Sequence, residues 1–136
     1  MILEDVVVSK TLSDREIKAG ITAALQIAPE HIAVVSEIPS DKLHNDLLVM
    51  CQKLPLSGDF PLQISIYVRD QSLETIDVAD AMERFCQATD SSVLISDDDG
   101  NPYSRILINK FNQRKKVFLD PESLDELNRF VVKPNL

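Results

Sequence analysis

The sequence predicts an α+β domain: an antiparallel or mixed sheet with helices on one face, a ferredoxin-like split β-α-β core, additional strands and a C-terminal helix. Three observations lead there. In residues 62–70, Leu62, Ile64, Ile66 and Val68 alternate with Gln63, Ser65, Tyr67 and Arg69, the period of a half-buried strand. In residues 13–29, Ile17, Ile21, Ala24, Leu25 and Ala28 recur at helical spacing behind a Ser13–Glu16 capping box, and Pro29 closes the run. A shift of the chain by 60 residues lays two strand–helix–strand stretches over each other without a gap, Val8 on Val68, Ile21 on Ala81 and Leu25 on Phe85. Identity across that shift is negligible, so the repeat is one of pattern, as a split β-α-β arrangement requires.

The elements follow in order. Residues 2–9 end in a β-branched run and read as a strand; residues 13–29 form the first helix; residues 31–38 and 46–54 read as strands. After a turn over 55–61 comes the alternating strand 62–70. A second helix over roughly 76–88 sets Val78, Ala81, Met82, Phe85 and Ala88 on one face and Asp80, Glu83, Arg84 and Gln87 on the other. Residues 91–96, 104–109 and 116–120 read as three further strands. Asp120 caps the last helix and Pro121 takes its first position, with Leu124, Leu127, Phe130 and Val131 as its apolar stripe.

With 136 residues, 44% hydrophobic and 26% charged, the chain reads as a single domain, 1–136, able to bury its own core. No apolar run is long enough for a membrane span, and Glu4 and Asp5 stand where an export signal needs positive charge. Cys51 and Cys86 lie far apart and read as buried, reduced core thiols, which points to a cytoplasmic protein. The charge is uneven. Residues 105–116 carry +5 through Arg105, Lys110, Arg114, Lys115 and Lys116; the net charge of −8 leaves −13 on the rest. Most of the surface therefore repels phosphate backbones and acidic membranes.

Local motifs for chemistry are few. In the stretch 97–108, Asp97, Asp99 and Asn101 occupy the first, third and fifth positions of a calcium loop. Pro102 takes the sixth, where glycine is needed, and Ile108 the twelfth, where a carboxylate is needed. That stretch reads as a hairpin tip with Gly100 supplying positive φ. Residues 110–116 set Phe111 among basic side chains, an arrangement that can grip a nucleic-acid backbone. On an acidic body it reads instead as a solvated hairpin connection, with Phe111 packed on the last helix. This strip can also meet acidic surface within the chain or on a second copy. His31 and His44 have no partner at metal-ligand spacing. No phosphate loop, dinucleotide fingerprint or nucleophile elbow is present, and no cofactor or metal is expected.

The strand tip running into a helix over residues 118–132 resembles the C-terminal end of small acidic type III secretion chaperones, which are dimeric partner-binding proteins; those open with a helix where residues 2–9 read as a strand. The doubled β-α-β pattern resembles small regulatory domains that bind amino acids at a dimer interface, although residues 9–14 lack their glycine-bearing loop.

The functional expectation is a small, acidic, cytosolic protein-binding domain without catalytic activity, of the immunity, antitoxin or chaperone kind. Its partner is another protein of basic character, or a second copy in a homodimer, and not nucleic acid or membrane. The expected surface is the stretch 70–99, where nine acids stand against Arg84 alone; its candidates are Asp70, Glu74, Asp77, Asp80, Glu83, Asp97, Asp98 and Asp99. The alternatives are a regulatory domain sensing a small metabolite and an enzyme whose residues converge only in the fold.

Overall fold

A computed structural model describes residues 2–37 and 46–134. In chain order the elements are β1 (Ile2–Val8), α1 (Asp14–Leu25), a 3-10 turn (Pro29–His31), β2 (Ile32–Val35), β3 (Val49–Pro55), β4 (Leu62–Val68), α2 (Gln71–Glu74), α3 (Val78–Thr89), β5 (Val93–Ser96), β6 (Ser104–Ile108), β7 (Arg114–Phe118) and α4 (Pro121–Leu127). His44 and the end of the strand expected over 31–38 fall outside the described residues.

The class is α+β, with one seven-stranded mixed sheet in the order β2-β3-β4-β1-β5-β6-β7. Every neighbouring pair is antiparallel except β2 and β3. This strand order differs from the four-stranded ferredoxin-like arrangement. The short turn between β3 and β4 pairs those strands as a hairpin, so β3 occupies the place beside β4. The strand that follows α1 is left with the outer edge, where it runs parallel to β3. The strand expected over 46–54 is thus an interior strand, β3.

Alternation builds two cores. Val6 and Val8 of β1, the four apolar residues of β4, and Val93 and Ile95 of β5 turn toward α1 and α3 with Ile17, Ile21, Met82 and Phe85. On the opposite face Val7, Leu94 and Val117 are covered by Leu119, Phe130 and Phe60. Each of the two long helices begins at a side-chain cap. The Ser13 hydroxyl accepts from the Glu16 amide at 3.1 Å while the Glu16 carboxylate accepts from the Ser13 amide at 3.0 Å, and Asp77 accepts from the Asp80 amide at 3.1 Å. Arg84, half-buried, donates from Nη2 to the Ala24 carbonyl at 2.7 Å and so ties α3 to the end of α1.

The repeat survives with two opposite slips. The strands β1 and β4 start 60 residues apart (2 and 62), the helices α1 and α3 start 64 apart (14 and 78), and the strands that follow the helices, β2 and β5, start 61 apart (32 and 93). The unexpected four-residue α2, capped by Asp70, takes up the first difference. The last helix is shorter than its apolar stripe implies: Asn128 turns left-handed at φ 51° and ends it, leaving Leu127 56% exposed, while Phe130 is buried beyond the helix.

Candidate functional site

The feature that stands out from the body is the β6–β7 hairpin. Its loop is residues 110–112, closed by mutual pairing of Asn109 and Gln113. The Asn109 amide donates to the Gln113 carbonyl at 3.2 Å, and the Asn109 side-chain oxygen accepts from the amides of Phe111 at 2.9 Å and Gln113 at 3.2 Å. Asn112 takes the left-handed position, φ 59°, which asparagine tolerates better than most residues. The strand after this loop starts at Arg114, so Arg114 and Lys115, expected in a loop, are strand residues. In the register, Arg114, Lys116 and Phe118 stand opposite Ile108, Ile106 and Ser104 and face α3, while Lys115 and Val117 face the other way.

Three of the eight acids expected to form an outward surface, Asp80, Glu83 and Asp99, meet this basic strip inside the chain. Asp80, Glu83, Gln87 and Asp90 recur along one side of α3 and its cap, and each holds the hairpin. Arg114 donates from Nε and Nη2 to the two oxygens of Glu83 at 2.9 and 3.0 Å, and from Nη2 to Asp80. Gln87 donates to the Asn112 side-chain oxygen at 2.7 Å, and Lys110 pairs with Asp90 at 2.5 Å. Lys116 reaches Asp99 on the β5–β6 loop. The hydrogen bond from Arg114 holds the Glu83 carboxyl below its usual range; Lys110 does the same for Asp90, and Asp99 raises the Lys116 ammonium. The remaining candidates divide. Asp70 and Asp77 cap α2 and α3, Asp97 takes part in a turn, and Glu74 and Asp98 have no partner among the described residues.

The stretch 97–103 is the tip of the β5–β6 hairpin. Asp97 accepts from the Ser104 hydroxyl at 2.6 Å and the Asp99 amide at 3.0 Å, which lowers its pKa, and Gly100 sits at φ 78°. Arg105 folds back onto this tip, donating to the carbonyls of Pro102 and Ser104, both at 2.8 Å. Among the described residues no group of three or more His, Cys, Asp and Glu side chains gathers as metal ligands would. His31 Nδ1 lies 2.7 Å from the Asp46 carbonyl oxygen. Burial pushes the thiols of Cys51 and Cys86 up to about 12, so both are protonated at neutral pH and poor nucleophiles.

Two aromatic residues mark the ends of the hairpin. Phe111, expected to pack against the last helix, is 70% exposed at the tip. Its loop carries it past the end of the sheet, with Lys110 Nζ 5.3 Å from the ring centre and a depression of about 310 Å³ lined by Ser9, Ser91, Ser92 and Asn109 beside it. Phe118, at the other end, is 44% exposed next to a depression of about 360 Å³ lined by Tyr103, Leu119, Pro121, Lys133 and Pro134. The sequence pattern marks neither Phe118 nor Asn112 as functional, and it places Gln87 only on the polar face of the second helix. The signal for Phe118 was the alternation of residues 114–118, hidden by the run of basic side chains.

No family model, curated protein or solved structure matches this chain. Among the described residues, no helix is long and apolar enough to cross a membrane.

Proposed function

We propose that this chain is a non-enzymatic protein-binding domain and that it engages its partner through the β6–β7 hairpin. The observation that carries this reading is Phe111: a large ring, 70% exposed, on a loop fixed on both sides by Asp90–Lys110 and Gln87–Asn112. A single exposed apolar side chain is ordinary on a protein surface. One carried by a braced loop is different, because little conformational entropy remains to be lost when a partner covers it. Aromatic rings with a polar surround are also enriched at the centres of interfaces. The two free, buried cysteines support a reducing, cytosolic setting. The inner strand order β3-β4-β1-β5, with α1 and α3 on one face, supports a split β-α-β core to which β2, β6 and β7 have been added.

Affinity capture from a lysate of the source organism, with and without nuclease treatment and run with wild type and Phe111→Ser side by side, tests the reading. The expected result is one protein retained by the wild type and lost by the variant. Capture indifferent to Phe111→Ser, or recovery of nucleic acid alone, contradicts it.

A further inference from the structure

We propose that the outer edge of β7 accepts an extended segment of a partner protein, acidic and apolar in alternation, as an eighth strand of the sheet; this rests on the hairpin being the binding element. The hydrogen bonds from Asn109 N to Gln113 O and from Leu119 N to Tyr103 O fix the register, so residues 113, 115, 117 and 119 turn their amides and carbonyls toward β6. The amides and carbonyls of Arg114 and Lys116, and the amide of Phe118, therefore point outward. β7 is the last strand of the sheet, and no strand among the described residues pairs with that edge over 114–117.

The next rungs show that the edge takes a strand. Beyond β7, the chain's own Lys133 amide donates to the Phe118 carbonyl and the Asp120 amide to the Val131 carbonyl, both at 2.8 Å, around an antiparallel Leu119–Val132 bridge. Lysines usually guard such an edge. Here Arg114 is drawn over α3 by Asp80 and Glu83, and Lys116 is drawn to Asp99, so both side chains lean away from the open groups.

Charge selects the occupant. Lys115 is exposed and has no carboxylate partner among the described residues, so an acid on the incoming strand completes it. A second copy laid edge to edge sets the basic residues 114–116 against themselves, and like charges directly opposite are destabilising. The depression beside Phe118 offers a seat for an apolar side chain from the same strand. Main-chain pairing with pockets for alternate side chains is the general mode of strand addition.

The test uses the whole chain, a short acetylated peptide alternating Glu and Val, and its Lys–Val counterpart. The molecule's net charge of −8 favours the lysine peptide, so preference for the glutamate peptide isolates the edge from bulk attraction. The expected result is a shift of the Arg114 and Lys116 amide resonances with the Glu–Val peptide. Binding should weaken about tenfold or more in Lys116→Pro, which removes an outward amide that no described residue uses, and persist in Lys116→Ala, which removes the ion pair to Asp99 and the ammonium over the Phe118 ring but keeps the amide. Better binding of the Lys–Val peptide, equal loss in both variants, or amide shifts elsewhere overturns the proposal. Self-association abolished by Lys116→Pro does so too, by making a second copy the occupant. The wild-type amide map decides the question even if Lys116→Pro fails to fold. A partner captured equally by wild type and by folded Lys116→Pro, yet lost by Phe111→Ser, overturns the edge and leaves the hairpin reading standing.

Discussion

Gly20 sits in the middle of α1 because the ring of Phe85 passes against it. A Cβ built there lies 2.6 Å from Phe85 Cε2 and 2.8 Å from Thr89 Cγ2. Gly20→Ala gains up to about 1 kcal/mol in helix propensity. It also forces apart two helices whose contact is fully buried, an overpacking cost of about 1–3 kcal/mol. The cost outweighs the gain. The variant should unfold at lower urea concentration than wild type with an unchanged slope, as equilibrium unfolding followed by circular dichroism will show. Nothing near Gly20 in the sequence announces this, because its neighbours belong to a helix far along the chain. The cysteines are the opposite case. Their distance from one another, with no second cysteine near either, already read as core thiols, and burial is what disarms them.

At the scale of elements, the hairpin is held to α3 by polar contacts, and its central ion pair can be titrated. Arg114 depresses the Glu83 pKa in the folded state. A depressed carboxylate contributes stability that is present above its unfolded value, about 4.3, and is lost as pH falls through the folded value. Arg114→Ala should therefore cost no more than about 1 kcal/mol at neutral pH, as exposed pairs do. It should also flatten the acid limb of the stability curve without abolishing it, since Asp90, Asp97 and Asp120 stay depressed. Carbon-detected titration of the Glu83 carboxyl checks the assignment, with a return toward the ordinary value expected in the variant. Both halves of this contact were visible in the sequence as a basic strip and as the polar side of a helix. Their meeting was not, because Asp80 and Arg114 come together only when β6 and β7 extend the sheet beneath α3. The short α2 and the early stop of α4 were equally hidden, each being set by a cap or a left-handed residue that the apolar pattern does not record.

For the whole molecule, the α+β class was legible because alternation in β4 and helical spacing in α1 and α3 are strong local signals. The strand order was not. It depends on which strand first claims the place beside β4, and the β3–β4 turn settles that against the strand following α1. The same sheet ends in a braced, basic, aromatic-tipped hairpin, which we propose a partner protein binds. Hydrogen–deuterium exchange of the whole chain, alone and with the captured partner, tests this binding at the amides themselves. Slowed exchange over residues 109–118 with α1 unchanged is the expected result. Protection confined to α1 or to the β2–β3 side, with the hairpin amides exchanging as before, would contradict it.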